Sequence, residues 1–379
     1  MSVHKTALSE RELANLARDL DAVRREVTED LGERDVKYIH RILAVVRYLA
    51  VLGRGLLWLC WLPLGSWWLP MSIALGAVFL GLSKILSDME AGHNILHGQF
   101  DWTNDEKLQG FSYEWDCMCT GDNWRLSHNF LHHHYTNVLG MDHDLGYGFF
   151  RVRTEQPWYP IYLLQPFYVI IVAFIFQFGV CVQTWRIEEV LVTRTASLRE
   201  KFKQANFYLP KIYRQLFKDY VFFPALAGPY FFYVFLGNLI ANGMRNLWIA
   251  VVIFCGHFPK DVQVFSKDVL ENESKGHWYY RQILGSSNFN GSRLLHIMAG
   301  NLSHQIEHHL FPDLPCNRYV EIAPRVREIC AKYGLAYDTG PFYKQLGEVF
   351  WQIIKCSLPI GTLGDRKAVK KDLKGVASS

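Results

Sequence analysis

The chain has 379 residues, half of them apolar and 15% aromatic, and its 40 basic and 36 acidic residues leave a formal net charge of +4. So small a charge does not argue for a nucleic-acid partner, and the basic residues sit beside apolar blocks rather than in one continuous stripe. The eight cysteines are scattered, with Cys117 and Cys119 lacking the two-residue gap of common metal pairs, so neither a disulfide framework nor a cysteine metal site is indicated.

Residues 1–41 are polar, with Leu13, Leu16 and Leu20 at helical spacing, and read as a solvated amphipathic helix leading to the membrane. No short apolar stretch stands behind a basic start, so a cleaved signal peptide is not expected and the first span should do the targeting. From there to residue 358 the apolar residues gather into blocks that suit a bilayer, which needs about 20 per helix. The first block reads as a hairpin, with spans over Leu43–Leu62 and Met71–Leu86 and with Trp67 and Trp68 in the interfacial turn. Arg47 and Arg54 lie in the first span, where a central charge costs about 2.5–3.5 kcal/mol. Arg47 is expected to snorkel and Arg54 to have a partner, which the sequence does not name.

Basic residues are dense before the first span and absent from 64–69, which places the amino terminus and Ser87–Glu155 in the cytoplasm. Three further apolar stretches follow, Tyr159–Trp185, Tyr220–Leu239 and Met244–His257. If histidines before and after them are to meet, an even number must cross. Tyr159–Trp185 is interrupted by Gln165, Pro166, Gln177 and Gln183 and is followed by Arg194, Arg199, Lys201 and Lys203, so it is expected to lie in the interface. The expected fold is an all-α integral membrane protein with four transmembrane helices in two hairpins and a cytoplasmic helical cap. Residues 359–379 carry Arg366, Lys367, Lys370, Lys371 and Lys374 and read as a disordered basic tail.

Six of the 15 histidines fall between His93 and His134, and three more between His304 and His309. His93 and His97 are four apart on the continuation of the second span, so one ion could take both. His128 and His132 repeat that spacing, while His133 points about 100° away and could reach a second ion. His308 and His309 repeat the adjacent pair, and His257 ends the last apolar stretch. So many histidines exceed the four ligands of one tetrahedral zinc, and at least two ions are implied. Imidazole suits zinc, copper and iron alike, so the ligands do not choose the metal. Glu90, Asp142, Asp144 and Glu307 could hold the outer ring N–H groups of ligating histidines.

These residues resemble the three boxes of the membrane fatty-acid desaturases, His-xxx-His, His-xxx-His-His and Gln/His-xx-His-His. The flanks Glu90-Ala-Gly-His93, Trp124-Arg-Leu-Ser-His128, His133-His134-Tyr-Thr-Asn137 and His304-Gln-Ile-Glu-His308-His309-Leu-Phe-Pro312 look like the acyl-CoA and acyl-lipid branch. The resemblance runs from about Arg41 to Arg327. It implies that the cytoplasmic cap holds two iron ions, and that O₂ and two external electrons drive desaturation of a long-chain acyl-CoA or acyl-lipid. Ligand roles carry over to His93, His97, His128, His132, His133, His257, His308 and His309. Gln305 stands where other branches have a histidine, which leaves His304 as a possible substitute, and His134 extends the second box without a counterpart.

A bent apolar tunnel is expected for the acyl chain, with Trp115, Trp124 and Phe130 as candidate walls. No haem segment, Gly-x-Gly-x-x-Gly fingerprint or cysteine cluster is present, so the electrons are expected from a separate reductase, ferredoxin or cytochrome. Lys201, Lys203 and Lys211 could steer an acidic carrier. The rivals are a hydroxylase or ketolase with the same boxes, and a histidine-rich zinc transporter, whose ligands should lie near the bilayer midplane in broken helices.

Overall fold

A computed structural model describes residues 8–182, 185–186, 188–194, 196–205 and 209–363. The first apolar block forms a helix over Glu33–Trp58 and a second over Trp68–Ile85. The second runs on through a π-helical stretch, Leu86–His93, to Leu96. A Cβ on Gly53 would lie 2.6 Å from the Leu80 nitrogen and 2.9 Å from the Gly76 carbonyl, so these two helices meet backbone to backbone. Small residues at such contacts let helices associate where lipid offers no hydrophobic contrast.

The second hairpin differs from the one expected. Its first arm is Leu209–Phe217, continued by a π-helical turn Lys218–Phe222 and by Phe223–Ala225. After a turn in which Gly228 takes φ +54°, one unbroken helix spans Phe231–His257. The break expected between Leu239 and Met244 is absent, and the turn falls at Gly228-Pro229. Asn238, Asn242, Arg245 and Asn246 recur at helical spacing across this region and form one buried stripe. Arg245 pairs with Asp88 at 3.1 Å, Asn242 donates to Asp219 at 3.1 Å, and Asn246 donates to the Phe174 carbonyl at 2.7 Å.

Asp219 is also the partner that the sequence left unnamed. Arg54 approaches it at 3.6 Å and lies 3.4 Å over the Phe223 ring, while Lys84 reaches the same carboxylate at 2.8 Å. Arg47 is exposed. Among the described residues, three helical stretches are long and apolar enough to cross a bilayer: Glu33–Trp61, Trp68–Leu96 and Gly228–His257. The protein is a mostly helical membrane protein. Its described sheet is two short parallel strands, Asn288–Asn290 and Thr339–Pro341.

Tyr159–Trp185 is not one rod. A 3-10 segment over Pro160–Leu164 leads into helices Gln165–Phe174 and Phe176–Val182, with Ile175 between them. Gln165 turns inward, donating to the carbonyls of Arg151 (3.0 Å) and Ile353 (2.6 Å), whereas Phe167, Ile170, Ile171 and Phe174 face outward. Gln183 lies outside the described residues.

The amino-terminal helix, Glu10–Glu29, is not a solvated lead-in. Its start is fixed by Ser9 and Glu12, which cap each other's backbone N–H. Leu13, Leu16, Leu20 and Val23 are then buried against Lys275–Leu284 and Tyr319–Lys332. Lys332 and Lys275 hold Asp19 and Asp21 of this helix, each at 2.6 Å. The helix over Phe342–Ser357 closes the far side, packing on Gln165–Phe174 and Phe231–His257. Of the tail, the Thr362 carbonyl accepts from Trp158 N at 2.8 Å, while Arg366, Lys367, Lys370, Lys371 and Lys374 lie outside the described residues. All eight cysteines are free and buried.

Candidate metal centre

The histidines converge from four segments. His93 and His97 follow Trp68–Ile85, His128, His132 and His133 lie on the helical run Gly121–Tyr135, His257 ends Phe231–His257, and His308 and His309 lie on Gln305–Leu310. Both the first and the second box sit on or next to π-helical stretches, Leu86–His93 and Arg125–His132, a form that recurs at functional sites because it rotates side chains off the α-helical register. One nitrogen each of His93, His97, His128 and His308 falls within 4.8 Å of the others, and a second group joins His132, His257 and His309 on the same criterion.

A third group joins His128 and His132 with Asp144, and their rings stack at 5.0 Å, yet their Nε2 atoms turn to different partners. The Nε2 of His128 is 3.3 Å from that of His93, and the Nε2 of His132 is 3.3 Å from that of His309. His257 Nε2 is also 3.3 Å from His309 Nε2. His133 lies between the groups, its ring 4.6 Å from His97, 4.7 Å from His308 and 4.5 Å from His309, with both nitrogens buried and unpartnered.

What aims these rings is a set of acceptors behind them. Nδ1 of His128 meets Asp144 at 3.0 Å, and Nδ1 of His132 meets both oxygens of Asp142 at 3.0 Å. Asn94 stands 3.1 Å from His93 Nδ1, Gln282 Oε1 3.0 Å from His309 Nδ1, and the Tyr319 hydroxyl 3.3 Å from His308 Nδ1. Each acceptor takes the Nδ1 proton and leaves the Nε2 lone pair turned toward the centre. Burial, reinforced by neighbouring imidazoles, holds His97, His128, His133, His308 and His309 far below the usual imidazole range. At His132 burial pulls the same way, but Asp142 and Asp144 outweigh it and push the ring up to about 9. Converging lone pairs with orphaned nitrogens (His97 Nε2, His133 and His308 Nε2) are the donor set that a nitrogen-loving divalent cation requires.

Asp142 and Asp144 stand where the sequence suggested. Glu90 holds no histidine, and Glu307 approaches only His304, at 4.0 Å. Glu90 accepts from Tyr38, Asn301 (2.9 Å) and Cys316 (3.0 Å), and Glu307 from Asn288 (2.8 Å) and Tyr337 (2.9 Å). Burial nonetheless pushes Glu307 up to about 7. His304 stays outside both groups, its ring 5.0 Å from His296, whereas Gln305 reaches in with its Nε2 2.9 Å from His257 Nε2. His134 is exposed and stacks on Phe130, which is itself 53% exposed and therefore not a tunnel wall.

An apolar cavity borders the first group, walled by Trp115, Trp124, Phe176, Ile249 and Ile253 and touching His93, His128, His257 and Gln305. Trp124 also stacks on His128 at 4.5 Å. Of the expected steering lysines, Lys201 is buried against Glu189 at 2.6 Å and Lys211 pairs with Glu114, which leaves Lys203 exposed. The sequence had not singled out Gln282 or Tyr319, since neither lies near a box and nothing local marks them. Asn94, inside the first box, was in plain view.

Residues 66–341 match the family model described as fatty acid desaturase. The chain is 45% identical over 367 residues to the NADPH-dependent stearoyl-CoA 9-desaturase of Mycobacterium tuberculosis, covering 94% of this chain and 83% of that one. It is 24% identical over 279 residues to the sn-1 linoleoyl-lipid 6-desaturase of a Synechocystis species, covering 71% and 76%. It is 26% identical over 311 residues to human fatty acid desaturase 3, covering 78% and 63%.

Proposed function

The chain belongs to the fatty acid desaturase family and desaturates fatty acyl chains as a membrane oxidoreductase, and from that premise we propose that it removes two hydrogens from a saturated long-chain acyl-CoA at a pair of irons in its histidine cap. The carrying observation is the division of the converging histidines into two groups with Nε2 lone pairs turned inward. His93, His97, His128 and His308 would hold one iron, His132, His257 and His309 the other, with His133 between them. Gln305, hydrogen-bonded to His257, takes the place that His304 leaves empty. The mycobacterial relative's name supports a CoA thioester as carrier and a bond at carbon 9.

An unactivated methylene has no acidic proton for a base to take, and the family's iron and O₂ supply the oxidant that side chains lack. The work of this chain is positional. Asp142, Asp144, Gln282 and Tyr319 fix ring tautomers, and the walls of the apolar cavity keep water from the reacting segment. A displacement of about 1 Å in such an arrangement can cost roughly a hundredfold in rate. Two electrons and two protons from outside complete the reduction of O₂ to water, which calls for a separate donor protein.

We read four spans, the fourth being the arm Leu209–Ala225, with Tyr159–Trp185 lying in the interface through Phe167, Ile170, Ile171 and Phe174. Even parity then keeps both groups of histidines on the cytoplasmic side, in a catalytic domain over 42–358 to which the amino-terminal helix contributes, ahead of a basic tail. The test is reconstitution in lipid discs with an NADPH-dependent reductase and stearoyl-CoA, with metal analysis. Two irons per chain and an 18-carbon product unsaturated at carbon 9 are expected; stoichiometric zinc without iron in active protein, or a hydroxylated product, would overturn the reading.

A further inference from the structure

Two cavities meet at one side chain. The apolar cavity beside the histidines has Tyr147 in its wall, and the same residue lines a second, open cleft. Leu145, Phe150, Tyr159 and Tyr162 give that cleft its apolar lining, and His143 and Arg186 add polar groups. The neighbouring acids divide in the same way: Asp144 faces the inner cavity and Asp142 the outer cleft. Tyr147 thus stands between the two spaces, close in sequence to Asp142 and Asp144, which contact His132 and His128.

The backbone under this partition is unusual. Gly146, Tyr147 and Gly148 take φ of +85°, +54° and +69°, three consecutive residues in the left-handed region. A bulky residue adopts that region only where its surroundings impose it. Here they do: a Cβ on Gly146 would lie 2.1 Å from the Phe150 carbonyl oxygen, so the chain is pinched close against itself. The ring, 4% exposed, stands edge-on to Phe176 at 5.2 Å and 6.4 Å from Phe254. The flanking glycines put no side chain beside this ring, which lines the inner cavity on one side and the cleft on the other.

Polarity runs in the matching sense. A long-chain acyl thioester is polar at one end and hydrocarbon beyond it; the cleft mixes polar and apolar walls, and the inner cavity is mainly apolar. Building on the acyl-CoA reading above, we propose that Tyr147 is the gate past which the acyl chain enters, with the thioester end held in the outer cleft and the methylenes beyond the gate beside the histidines. Tyr147 thereby also sets which carbon–carbon bond is presented, because the length of chain held outside is fixed by the distance from cleft to gate.

The test uses the full chain in lipid discs with its reductase, and iron content is measured for every variant. Tyr147→Trp should raise the KM for stearoyl-CoA by about tenfold with kcat little changed and iron retained. Tyr147→Ala should yield more than one positional isomer. Independently, Tyr147→Cys should react with a charged, water-soluble thiol reagent in the absence of substrate and be protected by a non-hydrolysable stearoyl-CoA analogue, against the low background of eight buried native cysteines. The labelling arm decides for any variant that loses iron. A KM within twofold of wild type for Tyr147→Trp, a single positional isomer from Tyr147→Ala, or labelling of Tyr147→Cys that is indifferent to the analogue overturns the gate. Failure of the wild type to desaturate stearoyl-CoA counts against the functional reading instead.

Discussion

Replacing Asp142 by Asn separates the role of an aspartate behind a ligand from the role of the ligand. Asp142 is buried, and each of its oxygens carries two loads. Oδ1 and Oδ2 both stand 3.0 Å from His132 Nδ1, Oδ2 also accepts the Asn137 N–H at 2.8 Å, and Oδ1 accepts the Asp144 N–H at 2.8 Å. An Asn can present only one oxygen, so its NH₂ must face one of the two backbone donors. The lost charge-assisted bond is worth about 1.5–3 kcal/mol. Since partners of this kind typically contribute ten- to a hundredfold to metal affinity, Asp142→Asn should weaken iron binding by about 1.4–2.8 kcal/mol. The assay is iron retained against a graded series of chelator, with His308→Ala as the variant that loses iron and His304→Ala as the one that keeps it. Retention by Asp142→Asn indistinguishable from wild type would refute the argument, and so would loss of iron by His304→Ala equal to that of His308→Ala.

Asp219→Asn should cost about 3–5 kcal/mol, because it leaves Lys84 and Arg54 without their counter-charge among the apolar helices; a lowered thermal midpoint in detergent measures it. Leu16→Ala should cost about 2–5 kcal/mol at a fully buried site and speed proteolysis within Glu10–Glu29, and an unchanged cleavage rate would show the helix to be undocked. Cysteines introduced near Lys203 and near Gly364 should be labelled from the same side of a sealed vesicle, and opposite sides would remove the interfacial assignment of Tyr159–Trp185. Purified chain without a reductase should not turn over more than once, and charge reversal at the exposed Lys203 should slow donor-dependent turnover at low salt without changing iron content; multiple turnovers with no reductant added would rule out an external donor.

The sequence alone carried the histidine boxes and the family resemblance, though not the choice of metal. Histidine spacings are local, and His93 and His97 do fall in one group, while Asp142 and Asp144 follow the second box closely enough to fold back on it. The apolar blocks likewise announced the first hairpin and its turn, although its first helix begins at Glu33, ahead of Leu43, and its second runs on to Leu96, past Leu86. Where reading failed, the cause was one pattern with two meanings. The gap read between Leu239 and Met244 is continuous helix, and Asn242, Arg245 and Asn246 can be buried there because Asp219, Asp88 and the Phe174 carbonyl on other segments meet them.

The tertiary structure alone decided what depends on distant partners. Arg54 meets Asp219 and His309 meets Gln282 across chain separations that no window of sequence spans. The division of His128 from His132 is of the same kind, because an α-helical spacing of four implies a shared partner and the π-helical run Arg125–His132 removes that implication. Leu13, Leu16 and Leu20 gave the face of a helix but not what covers it, since amphipathicity is satisfied equally by a bilayer surface or by a protein core. Packing against Lys275–Leu284 and Tyr319–Lys332 settled that choice, as burial is a property of the whole chain and not of any segment.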